Sequence, residues 1–269
     1  MPSGSRVCPY CQALNAADDQ RCYRCRRRMP GPWVMGLAQL VQGALGRDYP
    51  VTTFYVGWCC ALFAVRVAVT GAWRELGGVG PMQDFWRWGG LGGPVGQWEP
   101  WRYLSAMFLH LGVVHLLLNM TALWQFGRAL ESEIRPGRFA VTFLGSGAIG
   151  FVVSDLWNML RGADVPTAGA SGGLFGIAAA VVGYQYARRD PRYRVLALQL
   201  LVFALVFAFL LHVNSAAHFG GALVGAPLGY WYYRERHPHR HDRWFAWAGG
   251  LLGVLSVLSV ALCQISLPR

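Results

Sequence analysis

The chain has 269 residues, of which 54% are hydrophobic and only 14% charged, and its formal net charge is +11. A soluble domain of this length carries about 25% charged residues, so composition excludes an ordinary soluble enzyme. The positive charge comes from arginine alone, and the arginines flank apolar blocks. That placement suits membrane topology rather than nucleic-acid binding, and no nucleic-acid partner is expected.

Residues 1–29 form a small polar module. Cys8-Pro9-Tyr10-Cys11 and Cys22-Tyr23-Arg24-Cys25 are two C-x-x-C knuckles ten residues apart. A tetrahedral zinc ion takes four thiolates in this arrangement, two from each knuckle. So short a segment cannot build a hydrophobic core, so metal binding supplies its folding energy. Four cysteines leave no open coordination site, so the expected zinc is structural. The segment resembles the zinc ribbons found at the N-termini of many bacterial membrane and regulatory proteins, and its cytosolic partner is not legible. Its polar, Cys-rich character lacks the apolar core of a signal peptide, so no cleavable leader is expected. Residues 30–50 read as a linker in which Trp33, Leu37, Leu40 and Val41 share one face of a possible interfacial helix. Cys59, Cys60 and Cys263 lie in apolar blocks and read as small buried hydrophobes.

Seven apolar stretches follow, at about 51–72, 104–127, 139–159, 169–187, 195–212, 215–233 and 245–265, each near the length one bilayer crossing requires. A loop rich in Trp, Gly and Pro, roughly 73–103, separates the first two. Arginines accumulate in the N-terminal region and in alternate loops, at Arg128, Arg135 and Arg138, at Arg188, Arg189, Arg192 and Arg194, and at Arg234, Arg236, Arg240 and Arg243. The intervening loops hold only Arg74, Arg87, Arg102 and Arg161, besides the terminal Arg269. The positive-inside rule therefore predicts a cytosolic N-terminus and an outer C-terminus.

Polar groups at bilayer depth are expensive and mark functional candidates. His110, His115 and Asn119 open the second stretch, with His115 and Asn119 four apart on one helix face. Gly169-Ala170-Ser171-Gly172 opens the fourth, where small neighbours allow close approach to the Ser171 hydroxyl. In the sixth, His218 lies one turn before Gly221 and Gly225, a small-xxx-small face that packs tightly on a neighbouring helix. In the predicted topology His115, Ser171 and His218 all lie toward the outer leaflet.

Across roughly residues 51–233 the chain resembles a rhomboid protease. Trp101-Arg102, His110, His115 and Asn119 match the family's first loop and second helix. Gly169-Ala170-Ser171-Gly172 matches its Gly-x-Ser-Gly nucleophile motif, and His218 with Gly221 and Gly225 matches its catalytic-histidine helix. The resemblance implies an all-α, polytopic membrane protein with a six-helix core at 51–233, while 234–269 would supply a basic loop and a seventh transmembrane helix. It implies a serine endopeptidase of the cell membrane, in a bacterium, with Ser171 as nucleophile and His218 as its only base. The sixth stretch contains no Asp or Glu, in keeping with a dyad. The oxyanion hole would comprise the Ser171 amide, His115 and Asn119. Phe175 occupies the position from which family members place an aromatic ring, often Tyr, against the catalytic His, and only the stacking role carries over. No cofactor is required for catalysis. The substrates would be single-span membrane proteins embedded in the lipid bilayer and cut near their outer ends.

Three rival readings fit the residues less well. A non-catalytic rhomboid-like binder of membrane proteins typically lacks the Ser or the His, and both are present here. A transporter would show inverted repeats and Gly/Pro-broken helix pairs, and no such pair is visible. A zinc protease at His110 and His115 lacks both the i, i+4 spacing and the Glu of H-E-x-x-H.

Overall fold

The structure, a computed structural model, describes residues 4–8, 13–31, 33, 48–71, 81–92, 99–163, 165–210, 215–235 and 238–266. The chain divides into two compact units, Met1–Arg47 and Asp48–Arg269. The proposed interfacial helix at 30–50 falls almost wholly outside the described residues.

The first unit is built on two three-residue strands, β1 (Ser5–Val7) and β2 (Leu14–Ala16), antiparallel with Ser5 opposite Ala16 and Val7 opposite Leu14. The following chain folds back on itself. The Cys22 amide donates to the Arg27 carbonyl at 2.9 Å, the Arg26 amide donates to the Cys22 carbonyl at 2.9 Å, and Arg21 bridges Arg28. Arg26 adopts a left-handed φ of 58° to make this reversal. The Arg6 guanidinium ties the ends together by donating to the carbonyls of Asp19 and Pro30. Among the described residues the apolar interior comprises Cys8, Ala13, Cys22 and Met29, too little to hold a chain folded by burial alone.

The second unit is helical. Its described elements are α1 (Pro50–Thr70), α2 (Met82–Arg87), α3 (Arg102–Ser105), α4 (Val113–Ile134), α5 (Pro136–Arg161), α6 (Ser171–Ala187), α7 (Arg192–Leu210), α8 (Ser215–Arg234) and α9 (Pro238–Ser266). Proline opens α1 and α5, where a missing N–H costs nothing. Gly71 and Gly162 close the same two helices in left-handed conformations. The first amides of α1 find their acceptor far along the chain. Val51 and Thr52 donate their backbone N–H groups to the Glu131 carboxylate at 3.0 and 2.8 Å, and the Thr52 hydroxyl adds a third bond at 2.7 Å. By length and composition α1, α5 and the stretch His241–Ser266 of α9 can each cross a membrane.

Helices in lipid associate through van der Waals packing rather than hydrophobic exclusion, so small residues decide how near two backbones come. That rule governs the pairing of α6 with α8. A Cβ added at Gly221 would sit 2.0 Å from the Gly172 carbonyl oxygen, and one added at Gly225 would sit 1.9 Å from that of Gly176. Only glycine permits this crossing. α5 packs against both helices and against α9. At the α5–α9 contact Arg138 is buried between ion pairs to Glu235 at 2.5 Å and Asp242 at 3.1 Å, with its guanidinium 5.1 Å from the ring centres of Tyr232 and Phe245.

The helices agree with the predicted stretches except at the second and seventh. The second was expected from 104, yet α4 starts at Val113. The apolar run Ala106–Leu109 is buried within the protein, so its hydropathy reports protein interior rather than a lipid-facing helix. The seventh begins at Pro238 rather than 245. The loop expected at 73–103 contains α2 and the start of α3.

Candidate active site

The site begins with the segment leading into α6. Thr167 and Leu91 exchange backbone hydrogen bonds at 2.9 and 3.0 Å, and the Gly169 amide donates to the Ala106 carbonyl at 2.8 Å. The loop after α2 and the turn after α3 therefore clamp the residues before Ser171. Gly169 has a φ of +119°, a conformation that excludes side chains, and a Cβ there would lie 2.7 Å from Cε1 and Nε2 of His115. Two residues later Ser171 opens α6, where the first amides of a helix have no intrahelical acceptor.

On α8, His218 faces this helix start. Its Nε2 lies 2.9 Å from the Ser171 hydroxyl oxygen. The close glycine crossing of α6 and α8 sets that distance. Phe175, one turn below Ser171, stacks on the imidazole with ring centres 4.3 Å apart and planes at 11°. His218 is only 6% exposed, and its Nδ1 has no hydrogen-bond partner among the described residues. A hydroxyl donating to Nε2 requires the tautomer that carries its proton on Nδ1. No carboxylate among the described residues stands behind the ring to orient it, so stacking on Phe175 takes that part.

The beginning of α4 supplies the third wall. The His115 ring lies beside Gly169, and its Nδ1 is 3.4 Å from the Leu111 amide. The Asn119 amide donates to the His115 carbonyl at 2.9 Å, which leaves its second N–H for another acceptor. His110 packs against His115 at 5.2 Å between ring centres and pairs through Nδ1 with the Phe108 carbonyl. Ser171, His218, His115 and Asn119 thus gather a hydroxyl, an imidazole 2.9 Å from it and two further candidate N–H donors, the kinds of group that acyl transfer uses.

A rhomboid domain model matches residues 97–235 of the chain. The chain belongs to the rhomboid family. It is 31% identical over 135 residues to the rhomboid protease GluP of Bacillus subtilis, a match covering 49% of this chain and 26% of that protein. It is 34% identical over 221 residues to RHOMBOID-like protein 5 of Arabidopsis thaliana, covering 76% and 70%. It is 29% identical over 151 residues to the rhomboid protease GlpG of Salmonella choleraesuis, covering 51% and 50%. This rhomboid therefore spans about a quarter of the length of GluP and half of GlpG. Family and apolar helices together make it a membrane protein.

The rhomboid domain match starts after α1, so the first helix of the expected core lies outside it. Trp101 and Arg102 do not meet the Ser–His pair among the described contacts. Arg102 is buried and braces the loop, donating to the Glu99 carboxylate and to the carbonyls of Trp86 and Gly90. Gly172, Gly221 and Gly225 act through the helix crossing. Two buried charges escaped the sequence reading as site supports. Arg66 of α1 donates to the His110 carbonyl at 3.2 Å and thereby holds the turn that launches α4. Glu131 anchors α1 as described above. Their signal was present, since an ionisable group inside an apolar stretch is itself a pointer.

In the N-terminal unit the thiols of Cys8, Cys22 and Cys25 lie within 4.8 Å of one another, with Cys8 and Cys25 3.7 Å apart. A tetrahedron with Zn–S bonds of about 2.3 Å has edges of about 3.8 Å, so these three thiols fit one zinc ion. The 3.7 Å separation of Cys8 and Cys25 is far beyond a disulfide bond. Cys11, the fourth expected ligand, lies outside the described residues.

Proposed function

We propose that this rhomboid is an intramembrane serine endopeptidase in which Ser171 attacks the peptide carbonyl and His218 is the only base. The 2.9 Å contact between His218 Nε2 and the Ser171 hydroxyl carries the reading. As the Ser171 oxygen bonds to the carbonyl carbon, its proton passes to His218 Nε2. The tetrahedral oxyanion takes hydrogen bonds from the Ser171 amide, the His115 ring and the second N–H of Asn119. Collapse breaks the C–N bond, and His218 returns the proton to the leaving amine. Water, deprotonated by His218, then hydrolyses the acyl-enzyme.

The substrates are single-span membrane proteins cut near the outer face, where water reaches the site and locally unwound backbone is tolerable. The seven long helices all span the bilayer, with the N-terminus cytosolic and the C-terminus outside, as the arginine distribution supports. Cys8, Cys11, Cys22 and Cys25 hold a structural zinc that folds the cytosolic module and takes no part in the chemistry.

A fluorophosphonate probe applied to the full chain tests the proposal. Labelling at Ser171 that disappears in Ser171→Ala and falls sharply in His218→Ala is the expected result. A chain that binds membrane proteins without being labelled is a non-catalytic rhomboid-like binder, and the protease reading is then wrong.

A further inference from the structure

A second polar constellation lies at the opposite end of the helices that carry the dyad. Ser171 opens α6 and His218 stands in the first turn of α8, whereas the last turns of both helices border a cavity of about 460 Å³. At about 1.5 Å per residue, the 17 residues of α6 put this cavity about 25 Å from the dyad. Its lining includes Tyr186 and Arg189 at the end of α6, Tyr193 and Arg194 from the first turn of α7, and Tyr230 and Arg234 from the last turn of α8.

Three elements thus bring three guanidinium groups and three phenol rings to one concavity that contains no carboxylate. Among the described residues none of the three arginines forms an ion pair. Arg194 donates only to the Tyr193 hydroxyl at 3.2 Å, and Arg234 lies over the Tyr230 ring at 6.0 Å. The neighbouring cavity behaves differently. It is lined by Arg188 and Arg192 together with Glu133 and Asp190, and Arg192 is paired with Asp190 at 2.6 Å. The fold balances charge in one cavity and leaves it unbalanced in the next.

We infer that the Arg189–Arg194–Arg234 cavity binds the phosphate of an anionic phospholipid headgroup. Guanidinium groups match phosphate oxygens in geometry and charge, and basic pockets between transmembrane helices at the cytoplasmic side recognise such headgroups. In the orientation proposed above this is the cytosolic end, but the cavity's chemistry does not depend on the protease reading. The tyrosines supply the amphipathic rings that sit at headgroup level. Leu198 and Leu201 of α7 and Leu223 of α8 expose more than half of their surface along the same helices, leaving apolar tracks for acyl chains. Those tracks favour a lipid over a free phosphate ion.

The test uses the full chain, delipidated in detergent and titrated with phosphatidylglycerol or phosphatidylcholine under native mass spectrometry. One phosphatidylglycerol should be retained per chain and phosphatidylcholine should not. Arg189→Gln, Arg194→Gln and Arg234→Gln together should weaken retention roughly 100-fold, or about fivefold for each single change, while Arg192→Gln in the neighbouring cavity leaves it intact. Helical circular dichroism identifies any variant that fails to fold, in which case the single changes decide. Inorganic phosphate in large excess should not displace the lipid. Equal retention of both lipids by the wild type, unchanged retention in the folded variants, or displacement by inorganic phosphate each overturns the assignment.

Discussion

The two units of this chain are held together by different physics. Among its described residues the N-terminal module buries Cys8, Ala13, Asn15, Cys22 and Met29, forms two three-residue strands and gathers three thiols within 4.8 Å. The helical unit needs no such staple. It draws its order from backbones brought into contact by glycine, from buried ion pairs and from aromatic rings layered between helices. The thiol cluster and the Ser171–His218 pair therefore lie in separate units. Whatever unfolds the module should spare the dyad, and whatever disarms the dyad should spare the module.

The sharpest break falls at Ser171 and His218. Replacing either with alanine should reduce turnover of a purified single-span substrate below detection, since loss of the nucleophile or base costs about a millionfold in kcat in a soluble serine protease. Zinc content should be unchanged. Retained wild-type turnover in either variant would remove the dyad from the mechanism.

Asn119→Ala should act next most strongly. As an oxyanion donor it accounts for ~10²–10³ in kcat. As a helix strut it would account for about 0.6 kcal/mol of stability and little rate. Measuring kcat and melting temperature on one preparation separates the two, and lost stability with intact kcat would take Asn119 out of the oxyanion hole. Within the same unit, Gly225→Val presses a side chain onto the Gly176 carbonyl and should cost about 1–3 kcal/mol or more. Gly145→Ala meets nothing within 4 Å and should be tolerated in the same melting assay.

Replacing Cys8 and Cys11 together should abolish zinc binding, read by elemental analysis, while in vitro cleavage persists. A chelator should likewise leave cleavage by a chain lacking residues 1–30 untouched. The smallest effect concerns Asp190, whose hydrogen bonds from Arg192 lower its carboxyl pKa to about 2. Because the folded pKa is depressed, its contribution to stability is complete above the ordinary carboxylate range near 4 and fades as pH falls through about 2. Carbon-13 NMR of labelled aspartate should place that midpoint well below the other carboxylates, and Arg192→Gln should raise it.

The candidate site was legible through the combination of its members rather than through any one of them. Ser171 in Gly169-Ala170-Ser171-Gly172, His115 four residues before Asn119, and His218 ahead of Gly221 and Gly225 each admit a bland explanation alone, and it is their conjunction in one chain that points to a site. Supports whose partners lie far away were not legible. Arg66 meets His110 across 44 residues and Glu131 meets Thr52 across 79, and no local spacing announces such pairs. The start of α4 was misplaced because hydropathy does not distinguish burial by lipid from burial by protein. The brace formed by Arg102 was hidden for a related reason, since its acceptors are loop carbonyls that no side-chain motif encodes.

The Glu131 anchor also dictates an order of events at the ribosome. α1 emerges first, yet the acceptor for its leading amides is translated some 80 residues later. Until Glu131 has been synthesised, the leading amides of α1 lack this acceptor. The docking of α1 is therefore tied to the synthesis of a later helix, and a nascent chain arrested before Glu131 would hold α1 without its anchor.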